Sequence, residues 1–406
     1  MIIVKKRRIA TEDDRFKSVE LRREEKTGVV AALFLFQYSL LIPLMRLISS
    51  SLLIAGSGIL LLVATYFINR RVILNLKTTL VIILLTLLMF LKVPIDGTEI
   101  TVILNFLLIS VPPIVFYSYR FDTKTFLDTC YALSYLNFIE LVAMPFLSRK
   151  VSYMRFGNGM VLTSIFMYLL IFRNKEGEKE RIGKFRYIIN LIVFAVSSLE
   201  VTLYGNRGAL VILVSFIAID AIIIHKEHVI RNFFVILAGF VAAFNFEHII
   251  NLLANISSRF NAFSYAIRKY QYQLQVGLVG ASSGRSRLYQ VALNEIKENP
   301  ILGNRMIVYG EDATYVHNLF LQVGRDLGII ALFALIAFVI YCIYLLLSKK
   351  VTLSQKTIIA VFFCMSVIRL LLSSNVWERP EFWAFLCIAL NYRTLLRENY
   401  NPLEDK

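Results

Sequence analysis

Motifs that bind nucleotides and metals are missing from this sequence. It has no G-x-x-x-x-G-K-[ST] loop, whose backbone amides would cradle ATP phosphates, so no ATP-driven step is read from it. No D-x-D pair offers carboxylates to a divalent metal on a nucleotide-sugar, and neither H-E-x-x-H nor C-x-x-C occurs. Cysteine is scarce: Cys130, Cys342, Cys364 and Cys387 fall within or beside apolar runs, without disulfide or metal spacing, and read as core packing. The N-terminus, MIIVKKRRIATEDDRFKSVELRREEK, is a charged tail without the apolar centre of a secretory signal. No internal repeat or low-complexity segment is found. The inverted repeats and paired broken helices that mark many transporters are therefore not seen either.

What is abundant is apolar sequence. Hydrophobic residues make up 57% of the chain and the mean hydropathy is +0.66, above the roughly 45–50% of soluble domains. Runs long enough to cross a bilayer as helices recur from end to end. Twelve spans are expected, at about 28–47, 51–69, 75–93, 99–118, 125–147, 157–173, 187–204, 208–225, 230–252, 327–347, 355–374 and 380–396. The expected fold is an all-α integral membrane protein with one large extracytoplasmic loop. Its parts would be a cytoplasmic tail (1–27), nine spans (28–254), the loop (255–314), three spans (315–396) and a second cytoplasmic tail (397–406). The net charge is +16, which in a membrane protein means cytoplasmic anchoring before it means anionic ligands. With residues 1–27 in the cytoplasm, 28 of the 44 Lys and Arg residues face inward and 16 outward. That bias favours both tails inside.

The loop contains SSGRSRLYQVALNEIKENPILGN. Ser283 is a plausible N-cap, and Leu288, Ala292 and Ile296 recur on one helical face. Asn299-Pro300 should stop this helix, and Gly303 should allow the turn after it. A short amphipathic helix on the outer membrane surface is expected. Arg207, in LYGNRGALV, lies in an outward turn against the orientation rule. It reads either as an arginine snorkelling at a helix end or as an anion site at a helix N-terminus. Arg285 and Arg287 open the loop helix, where a guanidinium suits forked binding of phosphate oxygens, although a solvated charged face fits as well. Of the four histidines, only His317, followed by Asn318, lies beside the polar outer loop. A packing histidine at a membrane edge is the plainer reading. Tyr265, Tyr270, Tyr272, Tyr289, Tyr309 and Tyr315 could stack on sugar rings or form an interfacial belt.

Four segments together resemble the O-antigen polymerase and O-antigen ligase superfamily of bacterial envelopes. They are RFGN (155–158), GNRGAL (205–210), SGRSRLYQVALNEIKENPILGNR (283–305) and YVHNLFLQVGRDLGIIAL (315–332). Their order, their spacing and the loop between the second and third agree with the family, over about residues 150–390. The chain departs from it in having GNRG for the commoner Ser-Arg-Gly, and Tyr289 where Trp is frequent.

The resemblance implies a GT-C-like fold and an inverting, metal-independent glycosyltransferase without cofactor. Its donor would be a glycan on undecaprenyl pyrophosphate, moved to a lipid-linked acceptor at the outer face of the cytoplasmic membrane. By motif, Arg207 and Arg285 would hold the pyrophosphate, and His317 would orient or deprotonate the acceptor hydroxyl. Arg155, Arg287, Tyr289, Asn318, Arg325 and Arg369 would contact substrate. Implied partners are the lipid-linked donor and acceptor, membrane lipids, and a chain-length regulator and flippase of the same pathway, with no nucleic acid. A ligase moving finished glycan onto lipid A core or protein uses the same motifs. The modest loop and the lack of an appended outer domain favour the polymerase. A transporter or flippase of lipid-linked sugars is the alternative from another class.

Overall fold

The computed structural model describes residues 12–69, 76–142, 153–172, 184–204, 207–257, 267, 271–272, 274–275, 285–304, 306, 316–372 and 374–397. Over these the chain is a helical bundle. Its helices are α1 (Glu12–Leu40), α2 (Ser50–Asn69), α3 (Leu76–Asp96), α4 (Ile100–Asn105), α5 (Val111–Phe116), α6 (Thr123–Val142), α7 (Tyr153–Phe172), α8 (Lys184–Tyr204) and α9 (Arg207–Ile219). Next come α10 (Val229–Phe244), α11 (Phe246–Ser257), α12 (Arg285–Glu298), α13 (Leu319–Leu347), α14 (Leu353–Phe363), α15 (Arg369–Leu372) and α16 (Pro380–Leu395). Single π-helical turns, Phe106–Ser110, Asp220–Ile224 and Cys364–Ile368, join α4 to α5, extend α9, and join α14 to α15.

Among the described residues, six helices are long and apolar enough to cross a membrane: Leu52–Asn69, Thr79–Asp96, Arg155–Phe172, Phe185–Tyr204, Leu319–Leu347 and Leu353–Leu372. Ile100–Phe116 and Gly208–Ile224 are shorter apolar helices. Leu52–Asn69, Thr79–Asp96, Phe185–Tyr204 and Leu319–Leu347 turn most of their side chains outward, as a lipid-facing surface requires, whereas Arg155–Phe172 and Leu353–Leu372 lie mostly inside the bundle.

Several expected boundaries move, each for a visible reason. The end of the expected charged tail and the expected first span share one helix, because α1 begins at Glu12 and carries Glu24 and Thr27 into the bundle, each 1% exposed. Asn69 Nδ2 donates to Thr27 Oγ1 at 3.1 Å, so α2 receives this polar stretch. That first helix stops at Leu40 rather than 47, and a short 3-10 turn, Leu44–Arg46, follows Pro43. Span nine breaks at Asn245 into α10 and α11. The tenth span starts at Leu319, not 327, because Asn318 caps it: its side chain accepts from Phe320 N and Leu321 N at 3.0 and 3.2 Å. Hydropathy misses those first turns because they hold Gln322, Arg325 and Asp326, all buried. Residues 143–147 of the fifth span lie outside the described residues.

The middle of the bundle is aromatic. Tyr117 meets Phe34 and Phe362 edge-on at 5.4 and 5.3 Å, and its hydroxyl donates to Ala31 O at 2.8 Å. A two-residue parallel pair, β1 (Phe121–Asp122) with β2 (Leu396–Arg397), joins the start of α6 to the end of α16. Gly28 lies so close to this seam that a Cβ there would sit 2.9 Å from Asp122 O.

Candidate functional site

The expected loop helix forms as α12, bounded at its C-terminal end by Asn299-Pro300. Its proposed cap, Ser283, lies outside the described residues. Ala292 is 1% exposed, as its apolar-face position requires. The helix has a partner within the bundle. It docks on the first turns of α13 by backbone contact that only glycine permits. Gly303 has φ +71, and a Cβ there would sit 2.7 Å from Arg325 O. Gly328 has φ +83 and ψ 178, a region open almost solely to glycine, and a Cβ there would collide with Ile301 O. Asn304 N donates to Arg325 O at 2.6 Å, and Ile329 N to Pro300 O at 2.7 Å. The segments NPILGN and GRDLG are therefore two halves of one joint.

This joint sets α12 beside the N-terminal end of α13, with Arg285 at its free end near His317. The Arg285 charge reaches the imidazole: burial first, then Arg285, lowers the His317 pKa from its ordinary value. His317 is half-buried between buried Val316 and Leu319. Its φ is +56, a left-handed conformation that a non-glycine residue keeps only where its surroundings fix it.

The other candidates fall into four groups. Arg325 is committed to carboxylates. Its Nε and Nη2 donate to Asp326 Oδ1 at 2.9 and 2.6 Å, and Glu295 Oε2 on α12 lies 3.7 Å from Nε. Arg369 is 8% exposed, with Nη1 3.3 Å from Glu381 Oε1 and its guanidinium 5.7 Å from the centre of the Tyr38 ring. Asn318 spends its side-chain oxygen on capping. By contrast, Arg287 is exposed, and Tyr289 and Arg155 are half-buried. Arg207 opens α9, three positions after Tyr204 ends α8, and its side chain is outside the described part.

Contacts carry these residues to one end of the bundle. In α7 and α8, Tyr168 meets Phe194 and Ser164 bonds Ser197, so the two helices run antiparallel. Arg155 at the start of α7 therefore shares an end with Tyr204, and with Arg207 just beyond it. A Cβ on Gly159 would touch Ser39 Cβ at 3.5 Å, next to Tyr38 under Arg369. The turn after Arg369 then reaches α13: Gln322 Nε2 donates to Asn375 Oδ1 at 2.5 Å, and Trp377 Nε1 to Asp326 Oδ2 at 2.8 Å.

The sequence reading passed over Asp326, Glu295, Gln322, Asn375 and Trp377. The available signal was Asp326, a carboxylate at the start of a long apolar run, where an ionisable group needs a named partner. It also passed over a second polar cluster built on the π-turn of α9. There Asp220 accepts from Tyr168 OH at 3.0 Å and lies 2.7 Å from His225 Nδ1, with Arg231 at 3.8 Å. These groups satisfy one another, which fits a structural joint.

No protein-family model matches the chain, and no curated protein matches its sequence. Among the described residues, no group of three or more His, Cys, Asp or Glu side chains could hold a metal ion.

Proposed function

We propose that the protein is a polysaccharide polymerase of the cytoplasmic membrane. It transfers a growing glycan from undecaprenyl pyrophosphate to a lipid-linked repeat unit, for O-antigen, capsule or exopolysaccharide synthesis. The observation that carries this reading is the half-buried His317 lying within reach of the Arg285 charge. Twelve spans are assigned, with the Arg285–His317 end outward and both tails in the cytoplasm, from the Lys and Arg bias.

In this mechanism His317 takes the proton from an acceptor hydroxyl. The freed oxygen bonds the anomeric carbon of the donor sugar, from the face opposite the leaving group. The carbon–oxygen bond to pyrophosphate breaks, and its electron pair departs with the phosphate. Arg285 and Arg207 stabilise that growing charge. No carboxylate or metal is assigned to the leaving group, since pyrophosphate is already a stable anion. The direct test is purified protein in bilayer discs with a lipid-linked repeat unit alone. A ladder of longer glycans supports polymerisation. Transfer only to added lipid A core or protein makes it a ligase, and no transfer to any acceptor refutes the reading.

The lowered His317 pKa fixes the sign of the pH dependence. A base works in its neutral form, so activity should fall on acidification, with a midpoint below the ordinary histidine value of about 6.5. Removing the nearby positive charge raises an imidazole pKa. Arg285→Gln should therefore move this acid limb upward as well as slow the reaction. A limb unmoved in Arg285→Gln would separate the two residues.

Orientation has its own check. The four cysteines are buried, so a single added cysteine gives a clean label. Ser282→Cys in intact cells stripped of their outer barrier should react with an impermeant maleimide. Reaction only after the cytoplasmic membrane is opened would reverse the orientation.

A further inference from the structure

Lys92 belongs to none of the segments that suggested the function. It lies on the last turns of α3, in a helix apolar enough to cross a membrane, and is 4% exposed. A lysine at that depth needs partners. It has two: Nζ is 2.5 Å from Asp96 Oδ2, one turn on, and donates to Leu302 O at 2.9 Å. Leu302 is in the joint between α12 and α13. The ammonium therefore reaches 210 residues along the chain to the backbone just before Gly303.

A second arm runs parallel to the first. Asp96 Oδ1 accepts from Thr98 N at 3.0 Å and Thr98 Oγ1 at 2.6 Å. That hydroxyl oxygen accepts in turn from Met306 N at 3.1 Å, while Glu99 N donates to Met306 O at 2.9 Å. Gly97, at φ +75, turns the chain so that Thr98 and Glu99 face the joint. Thr98 and Met306 are 2% and 1% exposed. Leu302 is thus held by α3, and Met306 by Thr98 and Glu99 just beyond it, while Asn304 is held by α13 on the other side.

We infer that Lys92 is a positioning residue: with Asp96 and Thr98 it clamps the 302–306 strap, so that α12 presents Arg285 to His317. This rests on the glycan-transfer reading for its consequence in activity, but not for the clamp itself. A span without chemistry of its own thereby sets the distance between the two groups assigned to donor and acceptor. Lys92 touches no substrate in this account.

The test uses the full-length protein in bilayer discs and two readouts that need no turnover. The first is amide exchange of residues 285–304. The second is the His317 imidazole titration, followed by NMR with the His317 signal assigned by its loss in His317→Ala. Lys92→Met removes the ammonium and keeps the stem. Thr98→Val removes the hydroxyl link between Asp96 and Met306 N without touching a charge, and covers the case in which Lys92→Met fails to fold. Each should raise exchange in 299–304 at least tenfold and move the His317 titration upward, toward that of Arg285→Gln. Lys92→Arg, which can reach the same oxygens, should restore both. Transfer should fall roughly tenfold to 100-fold in Lys92→Met, as a displacement of about 1 Å can cause.

Exchange and titration like wild type in both variants would overturn the clamp, whatever the activity. Accelerated exchange with an unmoved titration would overturn the link to Arg285 and His317. If Arg285→Gln itself leaves the titration unmoved, the catalytic pairing fails while the exchange result still decides the clamp.

Discussion

Replacing His317 with alanine should cut glycan transfer by roughly 10²–10⁴-fold while leaving binding of the lipid-linked donor intact. The two assigned roles differ in the step they affect, not in magnitude. Loss of a charge-stabilising donor costs roughly 10²–10³, which overlaps the cost of a lost base. Binding separates them. Arg285→Ala and Arg207→Ala should bind the pyrophosphate-linked donor poorly, since a doubly charged ligand loses a guanidinium in each. Arg207→Lys should keep the charge and still lose most activity, because an ammonium cannot make the forked contact with phosphate oxygens. Each variant must first be shown to accumulate in the membrane in wild-type amounts. Normal chain length and rate in His317→Ala would make this residue a packing group. Normal donor binding in both arginine variants would place the pyrophosphate elsewhere, with Arg155 the next cation to test. Arg325 and Arg369 follow behind it, because carboxylates already occupy them.

Gly328→Ala should be as damaging as any substitution at the charged residues. Its φ of +83 and ψ of 178 lie where L side chains essentially do not go. The new methyl would also meet the carbonyls of Ile301 and Pro300. Neither obstacle is a flexible side chain, so backbone must move. Such a backbone conformation costs an ordinary residue about 1–3 kcal/mol, and parting the two backbones adds to it. The expected result is a lower thermal midpoint, fast amide exchange through α12, and transfer reduced roughly 100-fold. Gly56→Ala is the control, because a Cβ there meets nothing within 4 Å and the position is helical. Helix propensity makes that change neutral or slightly stabilising. If the two variants melt and exchange alike, α12 does not depend on the joint.

The apolar helices were legible because a bilayer-length run is a long, unambiguous signal. The loop helix was legible from its four-residue apolar spacing and its Asn-Pro stop. What failed was polarity read as exposure. Gln322, Arg325 and Asp326 have loop-like character in sequence, yet each is buried in α13 because a partner comes from elsewhere: Asn375, Glu295 or Trp377. The same error separated the charged tail from α1. Such partners lie well beyond the reach of any local pattern. The glycines of NPILGN and GRDLG were each noticed for a turn or a motif, but their mutual contact depends on two left-handed angles that sequence does not display. Arg325 and Arg369 stood as substrate contacts through the resemblance, and only geometry shows carboxylates already beside them.

The small parallel pair of β1 with β2 bears on how the molecule is assembled. Residues 121–122 leave the ribosome long before 396–397, at about 5–20 residues per second. Until then the loop after α5 has no strand partner. Cys387 Sγ has yet to meet Tyr117 O, and Ser110 has yet to find Trp377 O. The aromatic centre built by α1, α5 and α6 must therefore wait, inserted but unclosed, for the last helix. A nascent chain in that state leaves the β1 backbone and part of this aromatic centre without the partners that α16 and β2 supply. Substitutions at Phe121 or Leu396 should thus lower the amount of protein in the membrane by degradation during synthesis, with little effect on molecules that have already closed.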